Sequence, residues 1–429
     1  MKFYVIAGEA SGDSRGVELM RALREMRPDI EFLGAGGREM KAFAGDAIFD
    51  WADEAVVGLW DVLKKYGYFR KQFHRMLAEI EAAQPDALIT IDYPGFNMRL
   101  AKEAKRRMPK LRTSHYISPQ VWAWHRGRIP KMAKFLDLML CLFPFELPLY
   151  ADAGLRAVCV GHPLLDSLEM PRIISAPAAE SHLMPGALKI GRASKKENPA
   201  QAELFFENES DQQRQTERQG PPPGVRDASL IALLPGSRGK EVRKIFPIMI
   251  EAAKVLRHSR PSLHFEAAAA REELADEMRA MLTAHGCDAD FCPITIRTAH
   301  VLMQRAGAGM VCSGTATLES TFFGLPMVIL YKVAWLTWIV GKRLVKIPWL
   351  GLPNVLAGRE IIREFLQDEA QPDRIAIEIR RLLEDPSARE EQQRAQAAVI
   401  ASLGERGAAK RAAEAILAGQ GMRRDVASG

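Results

Sequence analysis

The sequence predicts an α/β fold with two Rossmann-like domains, each built on a doubly wound parallel sheet. Short apolar strands alternate with helical segments from Phe3 to Val160, the pattern of a parallel sheet covered by helices. A polar stretch interrupts this alternation, and a second series of strands begins near Ser229. Two such halves predict a ligand cleft in which the carboxyl ends of both sheets face each other.

The first half is predicted as a domain over residues 1–168. It begins with a strand from Phe3 to Ala7 and a turn, Gly8 to Asp13, that leads into a helix. The remaining predicted strands cover 31–34, 87–92, 113–117, 138–142 and 157–160. The glycines after the second strand are not a dinucleotide fingerprint, because Glu39 stands in the place of the final glycine.

Residues 169–227 are predicted to form a flexible linker or insertion. From Glu207 onwards this segment is rich in Gln, Glu, Arg and Asp and contains Pro221-Pro-Pro223. Such a composition buries too little apolar surface to offset the entropy lost on ordering. Residues 228–372 then form the second domain. Residues 373–429, rich in Ala, Arg and Glu, are predicted as terminal helices and a tail that could pack on the first domain or on a partner subunit.

Composition narrows the range of functions. At 429 residues the chain is too long for one ordinary core. Its net charge of +6 is mild for this size and favours anionic ligands or an anionic membrane surface over nucleic acid. Five cysteines without a C-x-x-C pair indicate reduced thiols in a cytosolic protein rather than a zinc site. We expect neither a signal peptide nor a transmembrane helix.

The turn Leu234-Pro-Gly-Ser-Arg238 is a candidate phosphate site. It joins a buried strand to a helix whose apolar residues follow helical spacing. Backbone N–H groups at a helix start bind phosphate, with Gly236 and Ser237 forming the turn and the Arg238 guanidinium positioned to grip two oxygens. The spacing of a Walker A loop is absent. By itself the turn is equally compatible with an ordinary strand-to-helix connection.

A second group of donors lies further along the second half. Ser313, Gly314 and Thr315 follow a strand and open a helix, so their N–H and hydroxyl groups can bind a phosphate. Glu319, assigned to the first helical turn, can accept hydrogen bonds from both hydroxyls of a ribose, or can only complement the helix dipole. Asn354 lies in a loop punctuated by Pro and Gly, where it contacts a ligand or forms an Asx turn.

The first half offers the candidate for proton transfer. Asp92 ends an apolar strand, and Pro94-Gly95 turns the chain shortly afterwards, at the sheet edge where ligands bind. A partly desolvated carboxylate there can accept a proton from a hydroxyl nucleophile, although it could instead only bind loop N–H groups. Glu9 and Ser11 follow the first strand at the same edge, and either Ser11 or Asp13 is predicted to be a helix N-cap.

Two segments combine tryptophan or tyrosine with lysine and arginine beside aliphatic residues. They are Tyr331 to Pro353 and Ala55 to Phe73. This combination is typical of segments that lie in a membrane interface, and it also fits a core or dimer-interface helix. Their occurrence together favours a lipid substrate.

Taken together, these motifs resemble the lipid-A-disaccharide synthase family of inverting glycosyltransferases, which have the GT-B fold. The matching segments span nearly the whole chain in order: 7–13, 91–97, 115–124, 143–146, 161–162, 233–242, 313–315 and 352–360. Two features depart from the family pattern. The insertion at about 170–227 is unusually long, and Gly95 stands where many relatives carry a second acid. The second departure favours Asp92 as the carboxylate that acts.

The resemblance implies a hexosyltransferase reaction. A 2,3-diacylglucosamine unit would pass from its UDP donor to the 6-hydroxyl of 2,3-diacylglucosamine 1-phosphate, giving a β-1,6-linked disaccharide and UDP in lipid A biosynthesis. It also implies peripheral attachment to the cytoplasmic side of the inner membrane, no cofactor and no obligatory metal. A homodimer is left open.

Motif by motif, the resemblance assigns roles to individual residues. Asp92 would be the base, Glu9 and Ser11 would line the cleft, and the residues that hold UDP would include Arg238, Ser313, Gly314, Thr315, Glu319 and Asn354. Two other readings remain at this point. One is another GT-B enzyme acting on UDP-N-acetylglucosamine, either a lipid-linked transferase or a 2-epimerase, and the other is a non-catalytic UDP-sugar sensor.

Overall fold

The computed structural model describes residues 1–51, 66–121, 126–168, 226–332 and 348–421. These residues form two compact units. The first consists of the described residues up to 168 together with 401–421, and the second consists of 226–332 and 348–400. The predicted linker up to residue 225 and most of the two tryptophan-containing segments, 52–65 and 333–347, lie outside the described residues.

The first unit is a parallel sheet flanked by helices. Its strands are β1 (Lys2–Ala7), β2 (Glu31–Gly36), β3 (Ile48–Asp50), β4 (Ala87–Ile91), β5 (Arg112–Tyr116), β6 (Leu138–Cys141) and β7 (Ala157–Cys159). Its helices are α1 (Ala10–Met26), α2 (Arg38–Ala44), α3 (Tyr66–Ala83), α4 (Pro94–Arg107), α5 (Ile129–Met132), α6 (Leu147–Ala151) and α7 (Leu164–Ser167). The strand order is β3-β2-β1-β4-β5-β6-β7, and every pairing is parallel.

The central strands of this sheet are apolar because both of their faces are covered. All five residues of β4 are buried, and so are the last five of β1. A strand covered on both faces gains hydrophobic stabilisation from every side chain, at about 25 cal/mol per Å² of apolar surface. Ala7 pairs with Ile91, so β1 and β4 end side by side.

The second unit repeats the same layout. Its strands are β8 (Asp227–Leu234), β9 (His264–Ala269), β10 (Ile294–Ile296), β11 (Ala306–Cys312), β12 (Met327–Tyr331) and β13 (Glu364–Leu366). Its helices are α8 (Gly239–Ser259), α9 (Glu272–Ala284), α10 (Ala299–Arg305), α11 (Thr315–Phe322), α12 (Leu352–Ala357), α13 (Pro372–Glu384) and α14 (Pro386–Ser402). The order β10-β9-β8-β11-β12-β13 is parallel throughout.

Helix α8 packs on this sheet through the positions that the sequence predicts. Val242, Ile245 and Met249 are fully buried, whereas Ile248 is partly buried. The helix begins at Gly239, one residue before the predicted start, and it contains Pro247.

The predicted end of the linker is two residues late, because Arg226 and Asp227 belong to the second unit. The Arg226 guanidinium donates to the backbone carbonyls of Met303 (2.7 Å), Ala306 (2.9 Å) and Phe323. Asp227 is the first residue of β8. These contacts join residues far apart in sequence, so the polar composition of the segment could not predict them.

The C-terminal helices divide between the units. Helices α13 and α14 belong to the second unit, whereas the last described helix, α15 (Ala408–Gly421), packs against α1 of the first. The carboxylate of Asp166 accepts hydrogen bonds from the N–H groups of Gly407 (2.6 Å) and Ala408 (2.9 Å) at the start of α15. The Arg411 guanidinium donates to the carbonyl of Val160 at 2.8 Å.

The sequence also leads to expectations about membrane-spanning helices and about the cysteines. None of the helices in the described ranges is both long and apolar enough to cross a membrane. All five cysteines are free thiols, and Cys141, Cys292 and Cys312 are buried.

Candidate active site

Each sheet contains one place where the chain reverses the direction in which it adds strands. In the first unit this switch lies between β1 and β4, and in the second between β8 and β11. In open α/β sheets, ligands bind beyond the carboxyl ends of the strands at such a switch. All the candidate residues except Asn354 follow one of these four strands.

Asp92 directly follows β4 and begins an unusual turn. Asp92 and Tyr93 both have φ of 47°, and neither is glycine. Left-handed backbone at a non-glycine residue costs of order 1–3 kcal/mol, so surrounding contacts must maintain it. The N–H of Asp92 donates to the carbonyl of Tyr116 at 2.9 Å, and Pro94 then starts α4.

Asp92 is half-buried at the carboxyl end of β4. This desolvation raises its pKa above the ordinary value, although a hydrogen bond from the backbone N–H of Tyr93 partly opposes the shift. A raised pKa makes the ionised carboxylate a stronger proton acceptor, which is the property that a general base requires. The structure places Asp92 directly after β4, at the carboxyl edge of the sheet, and its role as a base stays a prediction.

An aromatic cluster packs against this turn. Trp51 is 1% exposed, and its indole N–H donates to the carbonyl of Ala7 at 2.8 Å. Its ring lies 6.3 Å from that of Tyr93 and 4.8 Å from that of Phe96, between ring centroids. A Cβ atom at Gly8 would lie 2.5 Å from the Tyr93 ring, so only glycine fits at this position directly after β1.

Glu9 and Ser11 lie beyond the end of β1, at the same sheet edge as Asp92. Glu9 is half-buried with extended backbone, and Ser11 is exposed in the first turn of α1. The predicted N-cap role is wrong for both Ser11 and Asp13, because α1 already begins at Ala10.

Asp13 has a different role, which the sequence does not reveal. Its carboxylate accepts hydrogen bonds from the N–H groups of Gly37 (2.7 Å), Glu39 (2.9 Å) and Met40 (3.1 Å). It therefore caps α2, which is remote in sequence, and fixes the first turn of α1 to the end of β2.

The second unit contains a pocket of about 360 Å³ at the carboxyl ends of β8, β9, β10 and β11. Seven of the eight residues predicted to bind UDP line it: Gly236, Ser237, Arg238, Ser313, Gly314, Thr315 and Glu319. The sequence places them in two segments separated by more than 70 residues, and the pairing of β8 with β11 brings the segments together.

The β8–α8 turn presents its donors to this pocket. Gly236 has φ of 105°, and a Cβ atom there would lie 2.9 Å from a carboxylate oxygen of Glu241. Arg238 is the N-cap residue of α8, and its exposed guanidinium contacts Glu241 at 3.3 Å. An exposed pair of this kind is weak, so a bound anion can compete for the guanidinium.

The β11–α11 turn forms the opposite wall. Gly314 has φ of 152° and precedes Thr315, the first residue of α11. Glu319 is the fifth residue of this helix, so its assignment to the first turn is wrong. Its carboxylate lies 3.4 Å from Nε2 of His300, and this hydrogen bond raises the pKa of His300 above its ordinary value, against the effect of desolvation.

Sequence reasoning missed several pocket residues. Arg297 follows β10 and has φ of 59°, and His300 lies on α10. Both depend on β10, a three-residue strand too short to stand out as a pattern. Glu241 was also missed, although its place in the first turn of α8 could have suggested it.

Asn354 is the predicted UDP contact that the structure does not bring to the pocket. It is not in a loop, as predicted, but is the fully buried third residue of α12, and its amide binds the segment that follows this helix. Nδ2 donates to the carbonyl of Ile362 and to the carboxylate of Glu364, both at 2.7 Å, while Oδ1 accepts from the N–H groups of Ile361 and Ile362. These bonds give Asn354 a structural role in holding that segment against α12.

In the part of the chain that the structure describes, no group of three or more His, Cys, Asp or Glu side chains is arranged to hold a metal ion. The positive groups that line the pocket are Arg238, Arg297 and, when protonated, His300. Together with the backbone N–H groups of the two turns, they form an environment suited to a diphosphate.

The fold defines the class of protein. A putative UDP-N-acetylglucosamine 2-epimerase from Listeria monocytogenes superposes with a TM-score of 0.55 at 13% identity, over 92% of this chain and 90% of that one. A UGT transferase from Siraitia grosvenorii in complex with UDP gives 0.56 at 11% identity, over 98% and 99%. At these identities the likeness concerns the fold alone, which is the two-domain, Rossmann-like GT-B fold.

The sequence comparisons identify the family within this class. The model of the family described as Lipid-A-disaccharide synthetase matches residues 3–183 and 206–418. A lipid-A-disaccharide synthase of Geobacter sulfurreducens is 36% identical over 416 residues, covering 97% of this chain and 96% of the relative. One from Pseudomonas aeruginosa is 36% identical over 389 residues, 90% of each. The chain belongs to the lipid-A-disaccharide synthase family and is a glycosyltransferase.

Proposed function

We propose that this enzyme transfers 2,3-diacylglucosamine from UDP-2,3-diacylglucosamine to the 6-hydroxyl of 2,3-diacylglucosamine 1-phosphate. The products are UDP and a β-1,6-linked tetraacyl disaccharide 1-phosphate. Family membership supports this reaction. The structure supports the proposal by placing the half-buried Asp92 carboxylate at one switch point and, at the other, a pocket of about 360 Å³ with two arginines and two helix starts.

Asp92 acts as the general base in this proposal. Its carboxylate takes the proton of the acceptor 6-hydroxyl while that oxygen forms a bond to the anomeric carbon of the donor. The bond from this carbon to the phosphate oxygen breaks, its electron pair leaves with UDP, and the configuration inverts. Glu9 and Ser11, at the same sheet edge, contact the acceptor.

UDP binds in the pocket of the second unit. The N–H groups of the two turns and the Arg238 guanidinium receive the diphosphate, and Glu319 accepts hydrogen bonds from the ribose hydroxyls. Negative charge grows on the departing phosphate, and preorganised donors stabilise it more as the bond breaks. We propose that this arrangement needs neither a metal ion nor another cofactor.

The experiment is a turnover assay with the two diacylated substrates that follows UDP and lipid product together. Release of UDP in equal amount to the disaccharide is expected. UDP release without disaccharide would support the nucleotide site and rule out the proposed acceptor. No release of UDP at all would reject the proposed function.

We further propose that the enzyme attaches peripherally to the cytoplasmic face of the inner membrane. Both proposed substrates carry acyl chains, and a net charge of +6 favours an anionic surface. Co-sedimentation with vesicles of anionic lipid, compared with zwitterionic vesicles, tests this attachment. Equal and negligible binding to both kinds of vesicle would count against it. Light scattering would measure separately whether the enzyme is a homodimer.

A further inference from the structure

A buried amide lies directly behind the turn that carries Asp92. Asn97, the fourth residue of α4, is fully buried. Its Nδ2 donates to two backbone carbonyls, that of Ile91 at 3.0 Å and that of Asp92 at 2.7 Å. These carbonyls belong to the peptide groups immediately before and after the Asp92 Cα atom, so one side chain holds the backbone on both sides of the proposed base.

This turn needs such support, because its backbone conformation is unfavourable. Asp92 and Tyr93 are consecutive non-glycine residues with left-handed φ. The Asp92 N–H is fixed by the carbonyl of Tyr116, and the N–H of Asn97 bonds to the carbonyl of Tyr93. With both donors of the Asn97 amide in place, the backbone is fixed and the carboxylate has only its own side-chain torsions left to vary.

Without the amide, the turn has a reason to rearrange. The carbonyls of Ile91 and Asp92 would lose a buried donor, and the φ angles could relax toward the ordinary negative range. Either change rotates the Cα–Cβ bond of Asp92 and moves the carboxylate relative to the sheet edge. Displacement of a catalytic group by about 1 Å can cost of order 10²-fold in rate.

We propose that Asn97 is a positioning residue, which holds the Asp92 carboxylate in its reactive orientation by clamping the two flanking carbonyls. The proposal rests on the assignment of Asp92 as the base. Asn97 does not touch substrate in this account, so its removal affects kcat and leaves nucleotide binding unchanged.

The test is Asn97→Asp, which keeps the size of the side chain and replaces its two N–H donors by a carboxyl group with at most one O–H donor. We expect kcat to fall about 10- to 100-fold, with KM for the donor and the affinity for UDP within about twofold of wild type. Asn97→Leu, which has a similar size and no hydrogen-bond donor, should lose at least as much. The leucine variant keeps the test valid if the aspartate variant folds poorly.

Gln396 provides a matched control in the second unit. It is also fully buried on a helix, and its Nε2 donates to the carbonyl of Leu325 at 2.8 Å. Gln396→Glu makes the same amide-to-carboxylate change away from both candidate sites. We expect it to lower thermal stability and leave kcat unchanged. Equal losses of kcat in the two variants would assign Asn97 an ordinary structural role.

Combination with Asp92→Asn separates the inference from the proposed function. If Asn97 acts through Asp92, Asn97→Asp should have little further effect in that background. If Asn97→Asp lowers kcat by the same factor in wild type and in Asp92→Asn, the positioning role is overturned and Asp92 remains the base. Near-normal turnover of Asp92→Asn alone would instead overturn the assignment of the base, and the inference with it.

Discussion

The turn after β4 in the first unit and the turn after β8 in the second both lie at the switch point of their sheets but differ in construction. The first holds two non-glycine residues in left-handed backbone, fixed by a buried amide and a tryptophan-centred cluster. The second uses glycine at its positive φ and leaves Ser237 and Arg238 exposed.

The difference matches the chemistry proposed for each turn. A proton acceptor works best with a raised pKa and one orientation, which partial burial and a fixed backbone favour. A diphosphate site needs several N–H groups and a guanidinium in reach of a ligand that arrives from water. The switch point of a doubly wound sheet can therefore serve either purpose, according to which side chains surround it.

The largest expected effect comes from Asp92→Asn. Removal of the general base should lower turnover by roughly 10² to 10⁴, measured in the coupled assay for UDP and disaccharide. Asp86→Asn is the matched control, because Asp86 is an exposed carboxylate at the other end of β4 and only accepts a bond from the N–H of Lys2. Equal losses in both variants would contradict the special role of the carboxyl edge.

Arg238→Gln should weaken nucleotide binding. Loss of a hydrogen bond to a charged group costs about 1.5–3 kcal/mol, which corresponds to a Kd for UDP about 10- to 150-fold higher. Isothermal titration measures this change. Arg243→Gln is the control, since Arg243 lies on the same helix with 56% of its side chain exposed, against 55% for Arg238, and pairs with Glu277 outside the pocket. Similar weakening in both variants would indicate only a general effect of charge.

A smaller effect should appear in the pH dependence of nucleotide binding. His300 has a raised pKa beside Glu319, so it becomes positively charged as the pH falls through that value. The added charge in the pocket should tighten binding of a UDP-sugar at lower pH, by no more than about fivefold, and His300→Gln should abolish the trend. A UDP-sugar is used because the terminal phosphate of UDP itself titrates near pH 6.

His258→Gln controls for the removal of a histidine, because His258 is exposed at the end of α8 and does not line the pocket. This variant should keep the trend seen in wild type. If His300→Gln also keeps it, another group is responsible for the pH dependence.

The smallest expected effect is that of chelation. If the donors of the second-unit pocket stabilise the leaving UDP, treatment with excess EDTA should leave turnover unchanged. A loss of turnover that Mg²⁺ restores would show that a cation performs part of the role assigned to Arg238 and the helix start.

Local patterns in the sequence were sufficient to predict the longer strands of the two sheets and the two turns that line the pocket. Buried parallel strands are short apolar runs, and the turns that follow them carry the polar groups, so residues such as Gly236 and Ser313 could be placed at a sheet edge. Their meeting in one pocket then follows from the parallel pairing of β8 and β11.

Contacts between distant segments were not predictable in this way. In the sequence Asp13 resembles an N-cap of its own helix, but in the structure it caps α2. Asn354 resembles a ligand contact in a loop, but its amide forms hydrogen bonds with Ile361, Ile362 and Glu364. Each side chain has partners that only the folded backbone brings near. Arg297 and His300 were missed for a related reason, because the short strand β10 acquires its position through pairing with β9.

We propose that the enzyme separates its two tasks, with proton transfer at Asp92 and nucleotide binding in the second unit. The most direct measurement is an equilibrium titration of UDP into Asp92→Asn protein whose turnover is measured in the same preparation. The account predicts a Kd within about twofold of wild type beside a turnover reduced by at least about 10². A Kd that weakens in proportion to turnover, or a turnover near that of wild type, would contradict it.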